Sequence, residues 1–521
     1  MGEERLRHAS DGRAAVTPKP TQYPVQRRFG LWGLWAGLLG GLLLLSPLAG
    51  LILAMVFWCT GAVWRRDELP VLPFCLGFQS LCVGSSFIYQ QVVGRYPRGD
   101  ALGLSSDLEQ AVFLSAVGLL VVTIGVRTGI DAMSATLPRR KHSGLPEYDI
   151  GRLFWLVVAV YWINWAVEIR PIAILYDLSQ VIYNILAFRM VLLCLLLVSI
   201  LQQERGYRYG AAALILVCVP TVISPMSNFK EIPFLVMIVL AGQWRPWSES
   251  RAERRRSYHR MCQAAALVAV LFFTGVVWVG GMKTVWRSSL ADGSVSGSPM
   301  EKVVAFGSTL VSTAPRVSMA AGVEQLTARV SAGLDYFSIV LERVPAIVPH
   351  ANGSMTLRAL RHIAQPRFLF PDKENLVSSS WLIREYVGIQ AAGDESGTSV
   401  GLGYIPEFYI EYGVPGMFLA LFLYGALIGG LYIGLCQVAP SQALFVSAAA
   451  VMFPQHFANY ESEFAKLLGG VLQTFLVFAV LLFVSRGWFQ RRFSSPATIG
   501  MPQRRRGIVT APAHGARRRH A

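Results

Sequence analysis

Residues 29–64 read FGLWGLWAGLLGGLLLLSPLAGLILAMVFWCTGAVW, a run of 36 residues without a charged side chain. One membrane-spanning helix needs about 20 apolar residues, so this run is too long for one span and long enough for two. Ser46-Pro47 lies in its middle, and proline cannot continue a helix interior. The run therefore predicts two membrane helices joined by a tight turn.

Similar apolar segments recur along the chain of 521 residues. Hydrophobic residues make up 53% of the chain and charged residues only 15%, well below the roughly 25% of soluble domains. We predict an all-α polytopic membrane protein with about 12 transmembrane helices. After the first two, the predicted spans are 70–91, 109–130, 151–168, 181–201, two within 210–244, 262–281, 415–435, 442–458 and 465–485.

The distribution of Lys and Arg predicts the orientation. With a cytoplasmic N-terminus, 29 of the 47 basic residues fall in the tails and in short loops on the cytoplasmic side. If residues 29–64 or residues 210–244 formed one span instead of two, every later segment would change sides and this agreement would be lost. We therefore predict a multi-pass protein of the cytoplasmic (inner) membrane with both termini in the cytoplasm. Residues 1–28 and 486–521 are predicted to be disordered basic tails.

Composition and motifs also exclude several function classes. The net charge is +16, and most of the basic residues lie in predicted cytoplasmic loops and tails, as membrane topology requires. We therefore expect a lipid bilayer rather than nucleic acid as the partner. The seven cysteines lie in or beside apolar segments, without the spacing of a zinc site. No phosphate-binding glycine loop follows a strand pattern. We expect no metal and no cofactor.

A polar stretch interrupts the spans late in the chain. We divide the chain into nine helices over 29–281, a large extracytoplasmic, mainly helical loop over 282–403, and an interfacial helix with the last three spans over 404–485. Apolar spacing predicts loop helices over 324–348 and 355–363. The loop is rich in basic residues. As a group, those between 358 and 384 favour an anion site over a solvated helix face, because arginine suits bidentate phosphate binding.

Two motifs carry a family resemblance. Residues 366–373 read PRFLFPDK, and residues 397–399 read GTS. Residues 403–409 read GYIPEFY and are followed by Tyr412-Gly413 and Gly416. Together with the large late loop, this pattern resembles the oligosaccharide repeat-unit polymerases of the Wzy type. The motif match covers about 50 residues, and the hydropathy layout agrees over most of the chain.

The resemblance implies a specific activity. Such polymerases join undecaprenyl-diphosphate-linked oligosaccharides on the outer face of the cytoplasmic membrane, without nucleotide sugar or metal. It also implies a helical bundle like that of other lipid-dependent glycosyltransferases (GT-C-like). A flippase and a chain-length regulator of the same pathway are further expected partners. The product would be O-antigen, capsule or another exopolysaccharide.

The reaction needs a base, and the family-like motif points to Glu407. If a short helix runs from Pro406 to Gly413, Glu411 lies one turn further on the same face. Both carboxylates are therefore candidate catalytic residues. The alternative is that Glu407 orients an arginine in a structural ion pair. His456, near the outer end of its span, is a possible base or simply a hydrogen-bonded residue at a helix end.

The reaction also needs cations to bind the diphosphate. Arg189 is a candidate because a charge in the middle of a span is costly and marks a functional or water-lined site, or a helix-pairing contact. Tyr404 can stack on a sugar or belong to a membrane-interface belt. The candidate diphosphate-binding residues are Arg189, Lys230, Arg287, Arg358, Arg361, Arg367, Lys373 and Arg384.

Two other functions stay open. An O-antigen ligase or another transferase with a prenyl-diphosphate sugar donor would share the overall layout. A transporter or flippase of lipid-linked glycans belongs to another class. It would be expected to show discontinuous helices in two repeated halves, and the large late loop breaks such a symmetry.

Overall fold

The fold is that of a computed structural model. It describes residues 24–65, 68–97, 107–137, 148–169, 179–223, 231–244, 250–292, 294, 299–365, 369–370, 372–373, 379–391 and 400–493. The regular secondary structure of these residues consists of α-helices with short π- and 3-10 turns. The described part of the chain is therefore all-α, as the apolar runs predict.

The α-helices of the described residues are numbered in chain order. They are α1 (Pro24–Leu43), α2 (Pro47–Val63), α3 (Val71–Val93), α4 (Leu108–Thr136), α5 (Ile150–Ile169), α6 (Ser179–Gln203), α7 (Tyr207–Ile223), α8 (Glu231–Ala241), α9 (Arg251–Val277), α10 (Lys283–Ala291), α11 (Pro299–Thr313), α12 (Met319–Val330), α13 (Ala332–Arg343), α14 (Ser354–Ala364), α15 (Ser379–Leu382), α16 (Tyr404–Val438), α17 (Gln442–His456) and α18 (Phe464–Phe493).

Six helices of the described residues are long and apolar enough to cross a membrane, which indicates a bilayer environment. Each of the twelve predicted spans overlaps one of α1–α9 or α16–α18, and the total of twelve crossings stays a prediction. The six are Val71–Val93, Leu108–Thr136, Val181–Gln203, Arg251–Leu290, Tyr404–Val438 and Phe464–Phe489.

The turn predicted at Ser46-Pro47 is confirmed. Pro47 is the first residue of α2, where its missing N–H costs no helical hydrogen bond. The Ser46 hydroxyl accepts a hydrogen bond from the Ala49 amide at 3.3 Å and caps the helix. The long apolar run is therefore two helices because a cap and a proline stand at its centre.

The predicted tails begin and end elsewhere. Residues 24–28 belong to α1, and α18 continues to Phe493 instead of ending near residue 485. Arg491 and Arg492 in the last turn of α18 favour this extension, since cations stabilise a helix C-terminus. Arg152 also donates a hydrogen bond to the Arg492 carbonyl at 3.0 Å. The remaining tail residues lie outside the described part.

The centre of the bundle is the contact between α4 and α16, where glycines let two backbones touch. A Cβ atom added at Gly125 or Gly129 would collide with a carbonyl oxygen of α16. A Cβ at Gly425 or Gly429 would collide with a carbonyl oxygen of α4. Small residues at such positions are typical of helix packing inside membranes.

Polar contacts between helices gather at two separate ends of the bundle. One end joins segments predicted to be cytoplasmic, through Glu68–Tyr432, Tyr148–Ser441, Gln203–Tyr148 and Glu204–Arg256. The other joins segments predicted to be external, both to one another and to the fourth predicted span, through Arg95–Glu324, Ala351–Ile410 and Ser115–Tyr460. We call the second one the loop end, because α12–α14 contact it.

The loop helices partly follow the prediction. The helix predicted over 355–363 is confirmed as α14. The single helix predicted over 324–348 is wrong: α12 ends at Val330 and α13 begins at Ala332. Ser331 separates them with φ −99° and ψ 5°, and its hydroxyl donates to the Thr327 carbonyl and contacts the Ser86 hydroxyl of α3.

Helix α16 has a sharp kink near its beginning. Gly413 has φ 66° and ψ −173°, which is not helical, and Pro415 follows it. A left-handed φ favours glycine. The predicted stop at Gly413 is therefore confirmed as a kink. The helix begins at Tyr404, two residues before the predicted start at Pro406. Residues 404–412 form a separate short segment at the loop end.

Candidate functional site

The first candidate catalytic residue, Glu407, joins two membrane helices. Its Oε2 accepts a hydrogen bond from the Phe464 amide at 2.7 Å. Phe464 is the first residue of α18, and the first amides of a helix have no partner inside that helix. The side chain of Glu407 therefore caps α18 from the short first segment of α16, in a position where the residue is 5% exposed.

The second candidate, Glu411, does the same for a loop helix. Its Oε1 accepts a hydrogen bond from the Thr356 amide at 2.7 Å, in the first turn of α14. Gly353, the residue before α14, has no side chain to cap the helix. A carboxylate at a helix N-terminus also interacts favourably with the helix dipole. Glu411 thus supplies the missing cap from α16.

Both carboxylates are positioned as structural anchors in this conformation. Glu407 and Glu411 are buried, at 5% and 0% exposure, and a base must reach the proton of a substrate hydroxyl. The main-chain amide of Phe464, rather than an arginine, donates to Glu407 Oε2. The geometry therefore favours a role in holding α14 and α18 in place over direct proton transfer.

Lys373 holds the opposite end of α14. Its Nζ donates to the carbonyl oxygens of His362 and Gln365 at 2.5 and 2.7 Å. These carbonyls belong to the last turn of the helix and its C-cap, where a cation is favourable. Lys373, a predicted diphosphate ligand, is thus engaged with the backbone. Helix α14 is clamped between the Glu411 carboxylate and the Lys373 ammonium group.

Arg358 and Arg361 lie on α14, and both are exposed. Among the described residues, neither makes a hydrogen bond or an ion pair, so both guanidinium groups are available to an anion. They are one turn apart on the helix, which packs against α16 and α18. Of the predicted basic group, these two best fit an anion site.

The other predicted cations are dispersed. Arg384 Nε and Nη2 donate to the Ala391 carbonyl at 2.9 and 2.6 Å, so this side chain closes its own loop. Arg287 is exposed on α10, beside Lys283. Lys230 and Arg367 lie outside the described residues.

Arg189 lies on α6, and its guanidinium carbon is 5.5 Å from the centre of the Tyr161 ring of α5. This cation–π contact between two apolar helices stabilises a charge in a predicted span. Helix α14 packs on α16 and α18, whereas Arg189 faces α5. Arg189 is therefore engaged by an aromatic ring of a neighbouring helix.

His456 is the last residue of α17 and is hydrogen-bonded, which agrees with the second of its two predicted roles, a hydrogen-bonded residue at a helix end. Its Nε2 lies 2.9 Å from Thr474 Oγ1, and the Thr474 hydroxyl donates to Asn184 Oδ1 at 2.7 Å. Because that hydroxyl proton is used, His456 Nε2 is the donor in this arrangement. The chain of three polar side chains links α17, α18 and α6. Its role as a base stays a prediction.

Tyr404 lies in the core. The residue is fully buried, and its hydroxyl donates to Gln79 Oε1 at 2.6 Å. Gln79 in turn donates to the Phe457 carbonyl at 2.7 Å. The ring of Tyr404 has protein on all sides, so in this conformation it has no free face for a sugar.

The sequence analysis missed three polar residues with defined contacts at the loop end or in the bundle, namely Gln79, Asn184 and Thr474. Each lies in a predicted span, and a polar side chain in a span is itself a signal of a specific contact. Among the described residues, no group of three His, Cys, Asp or Glu side chains could hold a metal ion.

The comparison with protein families supplies one match. The family model described as "Domain of unknown function (DUF8712)" matches residues 82–453, which is more than half of the chain. The chain belongs to this family. The DUF8712 match begins in α3 and ends in α17, so it includes both carboxylates and α14 but not His456 or Thr474. No curated protein and no solved structure matches the chain.

Proposed function

We propose that the protein is a glycosyltransferase that joins undecaprenyl-diphosphate-linked oligosaccharide repeat units into a surface polysaccharide. In this proposal the reaction takes place at the outer face of the cytoplasmic membrane. The resemblance of residues 366–373 and 397–416 to the Wzy-type polymerases suggests the activity. A flippase and a chain-length regulator of the same pathway would be its partners.

One structural observation carries the proposal. Arg358 and Arg361, which have no hydrogen-bond or ion-pair partner among the described residues, lie on a helix that packs against the loop end of two long apolar helices, α16 and α18. The diphosphate of a lipid-linked substrate stays near the membrane surface because its prenyl chain remains in the bilayer. A cationic helix packed on the ends of membrane helices is suited to bind such a group.

The proposed chemistry assigns separate roles to these residues. An acceptor hydroxyl attacks the anomeric carbon of the donor sugar, the bond from that carbon to the diphosphate oxygen breaks, and the hydroxyl proton passes to the departing diphosphate. Arg358 and Arg361 would stabilise the charge that develops on the leaving diphosphate. Glu407 and Glu411 are positioning residues in this scheme, because they hold α18 and α14 in the required arrangement.

The test is an assay with purified protein in detergent and a mixture of undecaprenyl-diphosphate-linked oligosaccharides. We expect a ladder of multimers from the wild-type protein and from Arg316→Gln, a control at another exposed arginine. The double variant Arg358→Gln/Arg361→Gln should lose most of the product. Transfer of a single unit would favour a ligase, and the absence of any wild-type product would favour a transporter of lipid-linked glycans.

Two variants of Glu407 separate positioning from proton transfer. Glu407→Gln keeps an oxygen that can accept from the Phe464 amide, whereas Glu407→Ala does not. We expect the Gln variant to keep most of the activity and the Ala variant to lose both activity and thermal stability. An inactive Gln variant with a wild-type unfolding temperature would instead support Glu407 as the base.

A further inference from the structure

Helix α14 exposes two different edges. Leu357 and Leu360 are three residues apart, adjacent on the helix surface, and 68% and 47% exposed. Arg358 and Arg361 form a second exposed pair beside them. Apolar and cationic side chains thus occupy different sides of one short helix, the pattern of a helix that lies in the plane of a membrane surface.

The orientation of these edges is fixed by the rest of the fold. Ala359 is buried, and Ile363 on the same side packs close to Gly469 of α18. Glu411 and Lys373 hold the two ends of the helix. The leucines therefore cannot turn inward without breaking contacts at three points.

The surroundings of α14 favour lipid as the environment of Leu357 and Leu360. The helix rests on α16 and α18, both long and apolar enough to cross a membrane, at the loop end of the bundle. Leu369 and Phe370, which follow α14, are exposed as well. A bilayer around α16 and α18 would end near this level. In such a bilayer, exposed apolar side chains at this level would lie next to the acyl chains, and the arginines next to the phosphates.

We propose that α14 lies in the lipid–water interface, with Leu357 and Leu360 among the acyl chains and Arg358 and Arg361 on the phosphates of anionic phospholipids. The partner is the anionic membrane surface itself. This inference does not depend on glycan transfer. If both proposals hold, the diphosphate site at Arg358 and Arg361 opens sideways to the bilayer.

The test measures the depth of spin labels in nanodiscs made of phosphatidylcholine and phosphatidylglycerol. Labels are attached at Leu360→Cys and, as a second position, Leu357→Cys. Cys218 and Cys262 are first replaced by Ser, since the other five cysteines are buried. Arg316→Cys on the exposed loop is the control. We expect the labels at 357 and 360 to collide more with oxygen than with a water-soluble nickel chelate, and the control label to show the reverse.

The lipid composition tests the arginines. In nanodiscs without phosphatidylglycerol, and in the Arg358→Gln/Arg361→Gln background, the label at 360 should shift toward nickel accessibility. Two results would overturn the proposal. Nickel access at 360 equal to that of the control would show that the leucines face water. Protection from both reagents would show that protein, such as a second copy of the chain, covers them. Neither result bears on the polymerase assay.

Discussion

Glu411 lies one helical turn after Glu407 on α16, and the two carboxylates accept main-chain hydrogen bonds from two different helices. Glu407 binds the Phe464 amide of α18, and Glu411 binds the Thr356 amide of α14. A single turn of α16 therefore fixes the distance between a membrane helix and a loop helix. The kink at Gly413 directly after it separates this turn from the rest of α16.

Removing the Glu411 carboxylate should destabilise the protein. Glu411→Ala leaves the Thr356 amide without its acceptor, and the loss of a helix cap costs about 1 kcal/mol. Glu411→Gln keeps an acceptor oxygen and loses only the charge, so its effect should be smaller. Thermal unfolding in detergent measures both, with Glu342→Gln as the control because Glu342 is exposed on α13. Equal unfolding temperatures for Glu411→Ala and the control would exclude the capping role.

Local features of the sequence predicted much of the fold. The turn at Ser46-Pro47, the stop at Gly413 and the helix over 355–363 depend on residues that are neighbours in the chain. The break at Ser331 was missed because apolar spacing continues across it. Its hydroxyl contacts Ser86, which is 245 residues away, and such a tertiary contact leaves no local pattern.

The candidate site was harder to predict for a physical reason. Carboxylates and basic residues can be identified by type, but several of their partners here are main-chain groups. Glu407 and Phe464 are 57 residues apart, and the donor is an amide that every residue except proline carries. Lys373 likewise binds carbonyls of α14. The sequence therefore predicted which residues gather near α14, but it did not predict which basic side chains bond to the main chain and which remain available to an anion.

Two glycines of α16 should respond differently to the same substitution. In Gly425→Ala the new Cβ would collide with the Val122 carbonyl, and neither backbone can move easily. Such overpacking costs about 1–3 kcal/mol. In Gly430→Ala the Cβ would lie 3.6 Å from Met133 Cγ, an ordinary contact. We expect a lower unfolding temperature for the first variant only. Equal temperatures would argue against the close contact of α4 and α16.

Thr474 should matter through its hydroxyl group. Thr474→Val keeps the shape of the fully buried side chain but removes the hydroxyl between His456 and Asn184. A buried polar group that loses its partner costs about 1–3 kcal/mol. Thr474→Ser retains the hydroxyl and should recover part of the stability. If Val and Ser variants unfold at the same temperature, the hydrogen-bond chain contributes little.

Glu463 should make stability depend on pH. It lies in the loop just before α18, is buried, and its Oε1 has no hydrogen-bond partner among the described residues. Burial raises the pKa of Glu463, and two contacts oppose the rise only in part: Lys466, with Nζ 3.9 Å from Oε2, and a hydrogen bond with the Ser379 side chain. The folded state therefore holds the Glu463 proton more tightly than the unfolded state does.

The sign of the pH effect follows from this difference. The favourable contribution of Glu463 is complete below its ordinary pKa of 4.5 and is lost as pH rises through the raised value. Glu463→Gln stays neutral, so its unfolding temperature should increasingly exceed that of the wild type as pH rises from about 4 to about 8. Glu342→Gln, at an exposed site, should show no such trend. A constant difference between Glu463→Gln and the wild type at all pH values would mean that the carboxylate is solvated in the folded protein.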